Sequence, residues 1–307
     1  MVSIYDNTKI YVACPPFAQT GGPEALHALA FEMRNLGMDA YMFYVGATYS
    51  ENLTVPAYRR FNLPYVCTIE ENSENVIIVP EIWGHLLQQY KNMQRVFFWL
   101  SVDNYFGRTL VDFKDDTITH LVQSYYAEDF VKKNNAKNVS YVSDYLNDYY
   151  TKDIAEIYKD RKNIILYNPS KGMEFTANII NQAPHLKFVP IRGMGQEQIK
   201  EIALTSKMYI DFGHHPGKDR LPRETAILGN IVVTNKRGSA GFYKDVPIGD
   251  EYKFDDEISN IPEIIKKIEY FLDNYENCIE DFVEYRKMIL DERKKFIEDI
   301  KRTFVKV

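Results

Sequence analysis

The chain has 307 residues, of which 45% are hydrophobic and 26% charged, and carries a formal charge of −6. Such a length is long for one hydrophobic core and comfortable for two domains of about 150 residues each, and the composition is that of a globular protein rather than a disordered one. The negative balance argues against nonspecific nucleic-acid binding, and no apolar run approaches the roughly 20 residues that span a bilayer.

Met1-Val2-Ser3-Ile4-Tyr5-Asp6-Asn7 has neither the basic start nor the apolar centre of a secretory signal, so a cytoplasmic protein is expected. Lys9 to Cys14 reads as the opening strand. The loop Pro15-Pro16-Phe17-Ala18-Gln19-Thr20-Gly21-Gly22 then enters a helix with Pro23 at its start, apolar positions at Ala25, Leu26, Leu29, Ala30, Met33 and Leu36, and Gly37 at its end. Asp39 to Val45 follows as a second strand, which completes the first unit of a parallel sheet. Gly21 and Gly22 would let a ligand approach the backbone at the carboxyl end of the first strand. Their spacing is not that of a dinucleotide-binding turn. Strands are expected at 75–79 and 95–100, and each ends in carboxylates: Glu81 after the first, Asp103 after the second. Thr119 to Gln123, a helix over 127–134 and a last strand from Asn138 finish the first domain, with 148–161 as the connection. Asp115-Asp116 lies in a charged stretch read as a solvated turn rather than a metal-binding pair.

The same alternation then restarts. A strand at 163–167 leads through Asn168-Pro169-Ser170-Lys171-Gly172 into a helix over 173–181. The next strand, 186–191, runs into Arg192-Gly193-Met194-Gly195 and a helix from about Gln196. Two successive α/β units with loop chemistry at one edge imply a doubly wound sheet. The stretch from Tyr209 to Phe254 is the richest in chemistry. Strands at 206–211 and 230–234 bracket a short helix starting near Leu221-Pro222 and stopping at Gly229. His214, His215, Lys218, Arg220, Arg223 and Glu224 therefore gather around one helix N-terminus, whose unpaired N–H groups suit an anion such as phosphate. Glu224 would accept from neutral hydroxyls such as those of a ribose, or merely offset the helix dipole. Gly238-Ser239-Ala240-Gly241 either presents backbone N–H groups, at Ser239 and Ala240, to an oxyanion or forms a simple turn. Beyond Phe254 the chain is helical, over 261–272 and 276–302. The basic cluster of its last helix reads as a solvated face, with membrane-surface contact as the alternative. Cys14, Cys67 and Cys278 are too scattered for a metal site or a disulfide framework and are expected to be buried free thiols. The 23 tyrosines are expected mainly in the cores.

Glu224-x-Ala226-x-x-Gly229-x-Ile231-Val232 resembles the motif of GT-B glycosyltransferases in which a glutamate opens the helix and holds the nucleotide ribose while the helix dipole faces the diphosphate. The longer run His215-Pro216-Gly217-Lys218-Asp219-Arg220-x-Pro222-Arg223-Glu224, with the later Gly-Ser-Ala-Gly, is similar to bacterial glycosyltransferases of surface-polysaccharide assembly, those of capsule and O-antigen. Gly21-Gly22 resembles that family's cleft-facing diglycine, and Lys171-Gly172 its diphosphate-binding Lys-Gly, without the companion arginine before it. Pro216 stands where the retaining group carries an earlier glutamate, so stereochemistry is not carried over.

The resemblance implies an α/β fold of two Rossmann-like doubly wound domains facing each other: an acceptor domain over 1–155, a nucleotide-sugar domain over 156–285, and a helix over 286–307 returning to the first. It implies a transferase moving sugar from a nucleotide sugar to a glycan acceptor that is lipid-linked, at the inner membrane face; with no Asp-x-Asp signature at a strand end, Lys and Arg are the expected substitutes for a metal, and the transferase is expected to be metal-independent and to need no cofactor. Gly21, Gly22, Lys171, Arg192, His214, His215, Lys218, Arg220, Arg223, Glu224, Ser239 and Ala240 are the expected donor contacts. Asp103 is the first candidate for the base, followed by Glu81, then Glu24 and His27. A catalytically silent binding subunit and a sugar-nucleotide epimerase on the same scaffold are the alternatives.

Overall fold

The computed structural model describes residues 1–49, 53–105, 111–152 and 161–307. In chain order the first half contributes β1 (Val2–Ile4), β2 (Lys9–Cys14), α1 (Gly21–Asn35), β3 (Asp39–Tyr44), β4 (Tyr65–Val66), β5 (Val76–Pro80), α2 (His85–Gln89), β6 (Gln94–Trp99), β7 (Ile118–Val122), α3 (Tyr125–Lys133) and β8 (Asn138–Tyr141). The second half adds α4 (Asp148–Thr151), β9 (Lys162–Tyr167), α5 (Met173–Gln182), β10 (Lys187–Pro190), α6 (Gln196–Thr205), β11 (Ser206–Asp211), α7 (Arg220–Ile227), β12 (Ile231–Asn235), β13 (Lys253–Phe254), α8 (Ile261–Asp273), α9 (Tyr275–Cys278), α10 (Val283–Thr303) and β14 (Phe304–Lys306).

Among the described residues the two large sheets are all-parallel, one of order β4-β3-β2-β5-β6-β7-β8 and one of order β10-β9-β11-β12-β13. Helices cover both faces of such sheets, which is why β5, β7 and β12 are buried at every position, and why β5 reads as an apolar run rather than an alternation. Gly37 and Gly229 follow α1 and α7 with φ of 76° and 85°, the left-handed values that end a helix. Ser124 caps α3 by accepting from the Ala127 N–H.

The chain forms two compact units. One comprises Met1–Tyr145, Pro216–Lys218 and Arg293–Val307, the other Leu146–His215 and Asp219–Glu292. The long α10 thus belongs to the second unit up to Glu292 and returns to the first from Arg293. The expected limit at 155/156 and most of the expected connection fall on residues 153–160, outside the described residues. The other expected limit, 285/286, lies inside an unbroken helix, and the units part seven residues later. Nothing in the helix, neither glycine nor proline, marks the place. Also unread in the sequence is the pairing of β1 with β14, in which Val2 lies opposite Phe304.

The aromatic residues are largely core: Trp99, Tyr209, Tyr252, Tyr275, Phe97 and Phe98 are among the largest fully buried side chains. Cys14 and Cys278 are buried and Cys67 partly so, all three free. The turn at Asp112–Asp116 is not merely solvated. Asp115 accepts from Arg95 at 2.9 Å, and Arg95 is itself buried. In the basic cluster, Arg286 is buried and donates to the Ile279 carbonyl, while Arg293 pairs with Glu32. Lys287, Lys294, Lys295 and Lys301 remain exposed. Among the described residues no helix is long and apolar enough to cross a membrane.

Candidate functional site

In a parallel sheet a crevice opens beyond the strand carboxyl ends wherever the chain reverses the direction in which it adds strands. In the second unit that place lies between β9 and β11: the chain leaves β9 to form β10 on one side, then returns to β11 on the other. The loops leaving β9 and β11 carry Lys171-Gly172 and Asp211 to Asp219. Each leads to a helix whose cap residue, Gly172 for α5 and Asp219 for α7, makes no side-chain bond to the first-turn N–H groups. Two helix N-termini with uncapped donors therefore flank the crevice, an arrangement suited to an anion.

Glycines bring these loops together. Gly172 has φ of 62°, and a Cβ there would come under 3.0 Å from the backbone of Phe212 and Gly213. A Cβ on Gly213 would collide with the Lys171 side chain, and one on Gly238 with the His215 carbonyl. Asn235, fully buried, donates to the carbonyls of Phe212 and Gly213 at 3.0 and 2.9 Å and accepts from the Arg237 N–H. Arg237 also donates to the Phe212 carbonyl. The loop after β11 is thus fixed from both neighbouring strands.

Its electrostatics differ from the pooled positive charge expected. Lys171 Nζ lies 3.1 Å from Asp211 and donates to Asp219. Burial alone would lower the lysine pKa, but the two carboxylates reverse that and hold it above the ordinary lysine value. For Asp219, burial would raise the carboxyl; His215 at 2.8 Å and Lys171 outweigh it and hold the group below its ordinary range. Asp211, His215 and Asp219 each offer a ligand atom within 4.8 Å of the others, a spacing open to a divalent cation. The Lys171 ammonium already stands against both carboxylates, so the chain supplies a cation of its own there.

The other expected donor contacts divide. His214 is partly exposed beside Lys171, its carbonyl 3.4 Å from Nζ, whereas His215 is fully buried. Arg220 opens α7 and is partly exposed. Arg223 is 1% exposed and pairs with Glu292 at 2.9 Å, so it is an interior ion pair rather than a surface phosphate contact. Glu224 is buried and lies one turn inside α7 instead of opening it, because the helix starts at Arg220. Ser239 and Ala240 are buried in a 3-10 turn. The Ser239 N–H is engaged by the His215 carbonyl at 2.9 Å, which supports the loop rather than awaiting an oxyanion. Arg192 is exposed after the edge strand β10. Pro216–Lys218 belong to the first unit: the Val102 N–H donates to the Pro216 carbonyl at 2.9 Å, Lys218 donates to Ser143 at 2.8 Å, and a Cβ on Gly217 would strike the Leu100 carbonyl.

The first unit has its own reversal between β2 and β5, flanked by the Gly21-Gly22 loop and by Glu81. An alanine Cβ at Gly22 would make only an ordinary contact with Leu100, so the surrounding protein does not itself require glycine there. Four base candidates lie nearby in the sequence of loops, with unlike environments. His27 is 2% exposed, and its Nδ1 is 2.6 Å from the Pro23 carbonyl. A carbonyl can only accept, so Nδ1 carries the proton and Nε2 accepts from Tyr44, 3.0 Å away. Burial lowers its pKa to about 4, which makes it a neutral structural histidine. Glu24 pairs with Arg60. Glu81 is buried and accepts from the Leu100 N–H at 3.1 Å; burial pushes its carboxyl up to about 7 against the pull of its backbone donors. It holds the loop that carries Asp103. Asp103 itself is partly exposed, with the Tyr126 hydroxyl 3.4 Å away.

Asp211, Asp219, Asn235, Arg237 and Glu292 take part in this arrangement without a motif in the sequence that assigns them a role. Asp219 stands four residues after His215 and immediately before a helix, a pattern that signals a cap. Glu292 falls on the stripe Tyr285, Ile289, Phe296 and Ile300 that α10 buries, and a carboxylate on such a stripe implies a buried partner.

No family model matches the chain, and no curated protein matches it in sequence. Solved structures do match it in fold along nearly their whole length. Anabaena Alr3699/HepE in complex with UDP-glucose has a TM-score of 0.65 at 10% identity, covering 97% of this chain and 99% of that one. Sucrose-phosphate synthase (tll1590) from Thermosynechococcus elongatus gives 0.69 at 11% identity, covering 97% and 98%. The pneumococcal O-GlcNAc transferase GtfA in complex with UDP and GlcNAc gives 0.67 at 9% identity, covering 97% and 98%. The fold is GT-B: two Rossmann-like parallel α/β sheets with a long C-terminal helix that returns to the first unit.

Proposed function

We propose that the protein is a nucleotide-sugar-dependent glycosyltransferase whose donor is a UDP-sugar bound by the second unit. The observation that carries this reading is the crevice between β9 and β11, where the uncapped N-termini of α5 and α7 meet Lys171. The diphosphate takes the helix N-termini and competes with Asp211 and Asp219 for the Lys171 ammonium, which then neutralises charge on the departing UDP. Glu224 accepts hydrogen bonds from the ribose hydroxyls. The UDP named in complexes of HepE and GtfA supports the choice of nucleotide.

Transfer then needs a base for the acceptor hydroxyl, and Asp103, partly exposed on the loop after β6, is our assignment because Glu24 pairs with Arg60, Glu81 is buried and His27 is a buried neutral histidine. It takes the hydroxyl proton as the acceptor oxygen bonds to the sugar C1 and the bond from C1 to the phosphate oxygen breaks. The lysine serves in place of a metal. A lipid-linked glycan of surface-polysaccharide assembly as acceptor, and action in the cytoplasm with membrane contact through the exposed lysines of α10, belong to the same proposal.

Glu224→Ala is expected to weaken UDP binding about 10- to 100-fold, the loss of charge-assisted hydrogen bonds worth roughly 1.5–3 kcal/mol, without changing the fold. Calorimetric titration of UDP and circular dichroism check both halves. Unaltered affinity removes the ribose assignment.

A further inference from the structure

We propose that Glu292, on the C-terminal helix, is a positioning residue that sets where the second unit presents Glu224 and Asp219 to the nucleotide; the assignment rests on the reading above. Arg223 sits in α7 with its guanidinium reaching in two directions: Nε donates to the Asp219 carbonyl at 3.2 Å, and a terminal nitrogen donates to Glu292 at 2.9 Å. Asp219 is the cap of α7, and its carboxylate holds Lys171 and His215. Glu224 is the next residue along from Arg223. One buried carboxylate therefore locates, through one guanidinium, the cap, the first turn of α7 and the proposed ribose contact, although it lies 69 residues from Arg223 in the chain.

Energy alone does not account for the pair. Both side chains are almost wholly removed from solvent, at 1% and 2% exposure. Taking two charges out of water costs several kcal/mol each, and apolar residues of the same volume often stabilise a protein as well or better. What the ion pair has and an apolar pair lacks is direction, since the planar guanidinium bonds along fixed lines. Tyr285, one heptad before Glu292 and fully buried, stands close enough to feel both charges; burial keeps its phenol well above the ordinary tyrosine value, so it stays neutral between them.

Directional control separates from mere stability in an apolar replacement. In the double variant Arg223→Met/Glu292→Leu, thermal stability is expected to stay within a few degrees of wild type, while UDP affinity falls at least 10-fold. Glu292→Asp, which keeps the charge but draws it back by one methylene, is expected to lose affinity at least 3-fold with little change in melting temperature. Both are read by UDP titration beside thermal denaturation. Wild-type affinity in either folded variant overturns the assignment, and Glu292→Asp decides if the double variant does not fold. If wild type itself binds no UDP, the functional reading fails first, before either variant is compared.

Discussion

Replacing Lys171 with methionine is expected to destabilise the protein by about 3 kcal/mol near neutral pH, because it leaves Asp211 and Asp219 without their shared cation. The melting temperature should fall on the order of 10 °C. The loss should depend on pH in a defined direction. Asp219 is held below its ordinary range in the folded protein, so its contribution is present above the unfolded pKa and disappears as the pH falls through the folded one. Lys171 is held above its ordinary value, so its contribution is present below the unfolded pKa and disappears as the pH rises through the folded one. The difference between wild type and variant is therefore largest between about pH 5 and 9 and shrinks toward acid, where the orphaned carboxylates take protons. Paired denaturation curves across that range measure it. A difference independent of pH would mean that the lysine stem, not its charge, carries the effect.

The second large effect is expected from Gly172→Ala. A left-handed residue with a side chain costs roughly 1–2 kcal/mol by itself. Gly193→Ala, at φ of 66° with open space around the new methyl, should show only that cost. At Gly172 the methyl also overlaps the Phe212 backbone, so the loop after β9 or the one after β11 must move. A total above about 3 kcal/mol is expected. Such a shift displaces Lys171 and the first turn of α5 together, so UDP affinity should fall by about 100-fold while Gly193→Ala retains it. Equal behaviour of the two variants would show that the close approach at Gly172 is unimportant.

Much of the architecture was legible because each sheet is parallel and covered. Runs such as Val76-Ile77-Ile78-Val79 and Ile231-Val232-Val233 are strands on composition alone, and glycines at 37 and 229 end their helices where expected. What escaped was non-local or short. β1 finds its partner at the other end of the chain, and β4 and β13 have two residues each, too few for any periodicity to register.

The site was legible as a place but not as a charge pattern. Lys171 and His215 stand on the loops that leave β9 and β11 at the carboxyl edge of the second sheet, which the alternation of strands and helices is enough to indicate. It could not reveal that Lys171 bonds to two aspartates, that Arg223 turns inward to Glu292, or that Lys218 reaches Ser143. In the sequence these cations form one cluster, whereas on desolvation Lys171, Lys218 and Arg223 take separate partners. His27 illustrates the same limit. Its position on α1 suggested a base, and only its burial and the Pro23 carbonyl beside it make it structural.

UDP bound at the crevice between β9 and β11 would leave its mark on the backbone amides there. Amide hydrogen exchange, followed by mass spectrometry with and without saturating UDP, tests it most directly, since bound diphosphate should engage the first-turn N–H groups of α5 and α7. Slowed exchange is expected in peptides covering 169–176 and 212–224. Exchange unchanged in both segments at a concentration where titration shows the nucleotide bound would contradict it.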